Sequence, residues 1–389
     1  MLSGAGGVAH CLLLIPKPER RSIPELFSKS AALAMRVYQI IFMAAMSGIF
    51  LFAEPVFAEC ESAAERGYSD DPYSGPDTDS IMALARQSGH SALCVVATQP
   101  PQNGVTREVV SFVADGLIQY ALLLTPDGKR PAEGWPLLLF NHGFHPDPPA
   151  YGLSSSTGNR ARPGDYYRGL PQAYARHGYL VVAPDFRGHA DSRGASYSAS
   201  NLATHWYVRD VIHAYKAARA LPQVDPQRVF MTGHSMGAYI TLRAALAVGD
   251  SLRAITLWST SGDDPVTYLY SLDVQGASRD WQGATAAPQS ERLRREFAEL
   301  GITADQLTTF DHLGTFSVPV QLHHGRSDAT TPFWNSLAIA SRLRLADAPY
   351  RFFAYDTDAH LFRGENFESA IERDVQWFDE LLARSPNQD

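Results

Sequence analysis

Arg228-Val229-Phe230-Met231-Thr232-Gly233-His234-Ser235-Met236-Gly237-Ala238-Tyr239 is the stretch whose reading decides the fold. Five mostly apolar residues of strand character run into Gly233. A helical pattern, Met236–Val248, leaves the same point without a linker. A serine caught in so tight a strand-to-helix turn is lifted above the edge of the sheet, and only glycine tolerates the crowding on either side of it. The helix start also aims unpaired N–H groups at any oxyanion formed there. Ser235 is therefore the candidate nucleophile. The competing reading is a structural turn with an inert serine.

Outward from this turn, short runs rich in Val, Leu, Ile and Phe alternate with helical stretches. The runs are 108–113, 117–124, 136–140, 179–183, 228–232, 254–258, 318–322 and 350–355. Helices are expected at 166–177, 202–220, 236–248, 333–344 and 367–383. The later runs are apolar on both faces, as strands covered by helices on both sides should be. This alternation predicts an α/β architecture with a mostly parallel, eight-stranded sheet. Asp115-Gly116 between the first two runs is a hairpin signal, so the sheet should open antiparallel. One segment, 261–315, is too long for a plain connection and leaves a strand end where such sheets bind ligands. It reads as a small helical cap, with Tyr268, Tyr270 and Trp281 as candidate specificity residues.

A serine hydroxyl needs a base, and in strand-turn-helix hydrolases the chain order is Ser, acid, His. His360 is the only histidine after residue 324, and it follows the last expected strand in a polar loop. Asp328 is the only carboxylate in the loop after the preceding strand, 325–332. A turn or helix-capping role is its alternative. Asp356 and Asp358 are rival acids, too near His360 in sequence to be favoured. Acyl transfer also needs donors for the oxyanion. The backbone N–H groups of Met236 and of Phe144, in Asn141-His142-Gly143-Phe144, are the candidates. Adjacent His323 and His324 point to opposite faces of a strand and so do not suggest a shared metal. No cofactor and no metal is expected.

With these landmarks in order, the chain resembles the α/β-hydrolase superfamily, and within it the prolyl-oligopeptidase-like serine hydrolases and their esterase relatives. The resemblance covers residues 105–389. It rests on Asn141–Phe144, Ala183-Pro184-Asp185-Phe186-Arg187-Gly188-His189-Ala190-Asp191-Ser192, Gly233–Gly237, His324–Asp328 with Pro332, and His360. Ala190 and Ala238 stand where relatives often carry glycine. The resemblance implies hydrolysis of a carboxylic ester or short peptide through an acyl-enzyme. A serine peptidase or amidase is the enzymatic alternative, and a non-catalytic binding protein on the same fold is the alternative of another class. The Asp185–Ser192 loop is expected to be structural.

The formal net charge of −8 disfavours a nucleic-acid partner, which needs a basic face. Residues 1–58 read as a leader: Val37–Ala53 is uncharged and mostly apolar, and Val56-Phe57-Ala58 fits a cleavage site. Met35 is then a candidate for the true start. Residues 59–104 read as a polar surface extension with a short helix near 80–87. An exported, periplasmic or secreted protein is expected, without stable membrane association once the leader is removed; an uncleaved anchor is the alternative. Cleavage after Ala58 would leave Cys60 and Cys94, an even pair that could form a disulfide. Intact mass of the exported protein should place its first residue at Glu59. Retention of residues 37–58 would refute cleavage.

Overall fold

In the computed structural model, residues 75–154, 164–262, 286–356 and 359–383 are described, together with Pro265 and Leu269. Nine strands form one sheet in the order β1-β2-β3-β5-β4-β6-β7-β8-β9. They are β1 (Cys94–Gln102), β2 (Val105–Ala114), β3 (Leu117–Pro126), β4 (Trp135–Asn141), β5 (Leu180–Pro184), β6 (Val224–His234), β7 (Ala254–Trp258), β8 (Val320–Gly325) and β9 (Tyr350–Tyr355). The first three strands are antiparallel, and β3 pairs antiparallel with β5; β5, β4, β6, β7, β8 and β9 are mutually parallel. The helices used below are α1 (Thr78–Arg86), α2 (Gly164–Arg176), α3 (Ala203–Arg219), α4 (Met236–Val248), α5 (Ala286–Leu300), α6 (Trp334–Leu345) and α7 (Gly364–Ala383).

Strand periodicity explains the layers. Leu137 and Leu139 of β4, and Leu180 and Val182 of β5, enter a core with α1, α3, α4 and α6. Leu138 and Phe140 of β4, and Val181 and Ala183 of β5, enter a second core with α2 and α7. Successive side chains point to opposite faces, so each strand feeds both cores and must be apolar throughout. Every residue of β5, β7 and β8 is buried.

The sheet has nine strands where eight were expected, because β1 lies within the supposed surface extension. It is an edge strand, exposed along most of its length, and Pro100 and Pro101 are tolerated there since one side needs no partner. Asn103-Gly104, with φ of 54° and 78°, turns the chain into β2. That dipeptide is a hairpin signal, masked here by the prolines before it. The extension is also not superficial in its described part. Asp77 caps α1 by accepting from the Ser80 N–H at 2.9 Å. Ile81 and Leu84 are buried in the core beside α3 and α4. Lys216 donates to the carbonyls of Leu84 and Gln87 at the far end of α1.

The expected cap is partly core as well. Leu293 and Phe297 of α5 pack with Leu202, Trp206 and Leu307. Leu313 belongs to the main core. Tyr268, Tyr270 and Trp281 lie outside the described residues, as do residues 1–74. Cys94 is disulfide-bonded, and Cys60, its expected partner, lies outside the described residues.

The Asp115-Gly116 turn joins β2 to β3, with φ of 50° and 76°. Asp115 also gathers charge. It accepts from Arg187 Nη2 at 2.8 Å, Arg209 Nε at 2.6 Å and His213 Nε2 at 3.1 Å. Burial opposes its ionisation, but the hydrogen bonds from Arg209 and His213 hold the carboxyl well below the usual carboxylate range. Arg187 is shared with Asp210 of α3, also at 2.8 Å. The antiparallel hairpin is thus pinned to α3 and to the loop after β5. Removing one member of a buried charge network strands the others, at a cost of about 3–5 kcal/mol. Asp115→Ala should lose stability on that scale in urea unfolding; a loss under about 1 kcal/mol would show that the cluster holds nothing.

Candidate active site

Ser235 sits between β6 and α4 with φ 59° and ψ −124°. A non-glycine residue in such backbone costs of order 1–3 kcal/mol and persists only when its surroundings over-determine it. Here they do. Its N–H donates to the Trp258 carbonyl at 2.9 Å, and its carbonyl accepts from Ala238 at 3.0 Å and Ser261 at 3.2 Å. The flanking glycines are required by contact. A Cβ on Gly233 would lie 2.2 Å from the Gly237 carbonyl oxygen, and one on Gly237 would lie 2.1 Å from that of Asn141. Asn141 in turn donates to Thr241 Oγ1 at 2.8 Å, and Thr241 donates to the Gly237 carbonyl. The end of β4 is thereby clamped to the first turn of α4.

The structure brings Ser235, His360 and Asp328 together from three loops. His360 Nε2 is 3.0 Å from Ser235 Oγ. His360 Nδ1 is 2.9 Å from Asp328 Oδ2. A carboxylate accepts, so Nδ1 carries the proton and Nε2 presents its lone pair to the serine hydroxyl. Asp328 divides its oxygens between two tasks. Oδ1 accepts the N–H groups of Thr330 and Thr331, both at 2.8 Å, while Oδ2 faces His360. The turn-forming role and the acid position are therefore the same residue's two ends. Burial opposes ionisation of Asp328, yet hydrogen bonds from His324 and His360, with the Thr331 N–H, hold it well below the ordinary carboxylate range. Asp356 instead pairs with Arg326 at 2.7 Å and is exposed. Asp358 lies outside the described residues.

The roles of two residues at the acid, Thr331 and His324, escaped the sequence reading. Thr331 Oγ1 lies 2.8 Å from Asp328 Oδ2, 3.0 Å from His360 Nδ1 and 2.9 Å from the Ser259 carbonyl. His324 Nε2 donates to the Thr331 carbonyl at 2.9 Å and lies 3.3 Å from Asp328 Oδ2. His323, on the opposite face, meets Asp374 at 2.8 Å, beneath Trp258. The two histidines diverge as their strand positions require. Among the described residues no group of three or more ligating side chains could hold a metal ion.

The loop after β4 lies against the serine. A Cβ on Gly143 would stand 3.1 Å from Ser235 Cβ and 1.8 Å from Tyr167 Oη, so no larger residue fits. Phe144 follows at once and is 45% exposed. Met236 opens α4, where helix geometry leaves N–H groups without intrahelical partners. Below the loop, His142 stacks on Phe186 at 4.2 Å and packs edge-on to His189 at 5.0 Å. The Asp185–Ser192 loop is structural, as expected. Asp185 accepts from the N–H groups of Leu153 at 2.5 Å and Ser154 at 3.2 Å. Burial pushes its carboxyl up to about 7, against those hydrogen bonds.

Burial also depresses four histidines: His142 to about 4, and His189, His205 and His234 well below the ordinary value. In the unfolded chain each titrates near about 6.5. A group with a depressed folded pKa that must charge on unfolding gives stability that is complete above its unfolded pKa and lost as pH falls below it. Asp185 and Asp210 act with the opposite sign, since burial raises their folded pKa; their contribution is complete below about 4 and is lost as pH rises through the folded value, about 7 for Asp185. The four histidines outnumber the two carboxylates. The melting temperature should fall by roughly 5 °C or more between about pH 7 and about pH 5, and a flat or rising profile would contradict the neutral burial of these rings.

A profile of the prolyl oligopeptidase family matches residues 166–385. The chain is 22% identical over 277 residues to the uncharacterized peptidase YtmA of Bacillus subtilis strain 168, covering 71% of this chain and 95% of that protein. It is 31% identical over 144 residues to a poly(3-hydroxyoctanoate) depolymerase of Pseudomonas fluorescens, covering 35% of this chain and 49% of that one. Among solved structures, the acetyl xylan esterase of Paenibacillus sp. R4 superposes with a TM-score of 0.56 at 17% identity, over 82% of this chain and 98% of the esterase.

Proposed function

This chain belongs to the prolyl oligopeptidase family and is a serine hydrolase of the α/β-hydrolase fold, and from that premise we propose that it cleaves a carboxylic ester through an acyl-enzyme on Ser235. The observation that carries this reading is the hydrogen-bonded line from Ser235 Oγ through His360 to Asp328. His360 Nε2 takes the hydroxyl proton as Oγ attacks the carbonyl carbon. Asp328 holds the imidazole in the required tautomer and stabilises the imidazolium that forms. The N–H groups of Met236 and Phe144 receive the oxyanion. His360 returns the proton to the leaving alcohol, then activates the water that releases the acid and frees Ser235.

The preference for an ester over a peptide bond rests on the relatives. The depolymerase, by its name, acts on a polymer joined by ester bonds, and the solved neighbour is an esterase that is matched along almost its whole length. The family, and the peptidase name of the Bacillus relative, favour an amide as the second reading. One screen separates them: p-nitrophenyl esters of increasing acyl length beside aminoacyl-p-nitroanilides. Faster turnover of esters is expected, and turnover of anilides alone would replace this reading with a peptidase. Ser235→Ala and His360→Ala should each lower kcat by about 10⁴-fold or more while the protein stays folded. Wild-type-like turnover by Ser235→Ala would remove Ser235 from the mechanism.

A further inference from the structure

The geometry points to His234 as a positioning residue: a bridge that, with Tyr167, ties the main chain of the general base His360 to the oxyanion loop. This rests on the roles proposed for Ser235 and His360. His234 stands between Gly233 and Ser235, and its side chain is fully buried. Its Nε2 is 2.8 Å from the His360 carbonyl oxygen. A carbonyl only accepts, so Nε2 carries the proton. Burial holds the ring well below its ordinary pKa, with the nearby His360 adding to the effect, so the ring is neutral. Nδ1 is then an acceptor, and the Tyr167 hydroxyl, 2.9 Å away, must donate to it.

Tyr167 extends the line. It comes from α2, its ring is buried, and its hydroxyl lies against Gly143, where a Cβ would stand 1.8 Å from Oη. The order is Gly143 packed on Tyr167, Tyr167 O–H to His234, and His234 N–H to the His360 carbonyl. Gly143 immediately precedes the proposed donor Phe144. The three segments that must hold reacting atoms in register leave different strands: β4, β6 and β9. β4 pairs with β6 as far as Asn141 and Gly233, whereas β9 lies at the edge of the sheet beyond β7 and β8. The Tyr167–His234 pair reaches the His360 main chain with side chains, and its fixed tautomer lets each hydrogen bond form in one direction only. His234 touches no reacting atom; the rings of His234 and His360 lie 4.6 Å apart, and Nε2 of His360 points to Ser235.

A displacement of about 1 Å at a reacting group can cost about 10²-fold in rate. The test counts active sites by fluorophosphonate labelling taken to completion, then measures kcat per labelled site on a p-nitrophenyl ester. His234→Leu should lose about 100-fold in kcat per site, with KM changed by less than about 3-fold. Tyr167→Phe, which keeps the ring, should lose about 10-fold. His234→Gln can still donate to the His360 carbonyl and should recover about 10-fold or more over the leucine variant. A packing role alone would lower thermal stability and the labelled fraction but leave kcat per site unchanged, and that result overturns the proposal. Equal losses in the leucine and glutamine variants overturn it too. If His234→Leu does not fold, Tyr167→Phe decides: unchanged kcat per site refutes the bridge. An unlabelled wild type would instead overturn the functional reading, and the bridge with it.

Discussion

The backbone at Ser235 is the constraint on which the rest of the site depends. A φ of 59° at a serine is costly, and the surrounding contacts leave no room for relaxation. Gly233 and Gly237 touch main chain where a Cβ would stand, and Asn141 and Thr241 close the gap between β4 and α4. The sheet order puts β4 and β7 on either side of β6, so the Trp258 carbonyl and the loop after β4 are both in reach of the turn. The strain and the site are consequences of one packing decision.

The polar interior follows the same logic of full commitment. Asp115, Arg187, Arg209 and Asp210 form one buried charge cluster that joins the antiparallel hairpin to α3. Asp374, on α7, accepts from Tyr174, Trp258, Gln321 and His323, and so binds α7 to α2 and to β7 and β8. Each cluster joins elements distant in sequence. Satisfied networks of this kind specify one arrangement, because any other leaves a buried charge or donor unpaired.

Asp328 joins a scaffold role to the one proposed for it in the chemistry. One oxygen organises its own turn and the other orients His360. His324 and Thr331 crowd the same carboxylate, so its ionised form is favoured before any substrate arrives. In an interior of low effective dielectric, such preset charge can stabilise a developing imidazolium without reorganisation.

What the sequence determined by itself was whatever is written locally. Strand and helix periods predicted the layers. The Asp115-Gly116 turn predicted the antiparallel opening, and Gly233–Gly237 with Asp328 and His360 in chain order marked the residues that meet. The ninth strand was missed where Pro100 and Pro101 hid the Asn103-Gly104 turn, and α1 was placed on the surface although Ile81 and Leu84 are core. Those errors share a cause: an edge strand and a short docked helix take their stability from distant partners, not from their own composition. The same limit applies at the site. Nothing local sets Tyr167 beside His234, or Thr331 and His324 around Asp328. Only the folded sheet, by bringing the ends of β4, β6, β8 and β9 to one edge, decided which polar atoms would face each other and which way each proton would point.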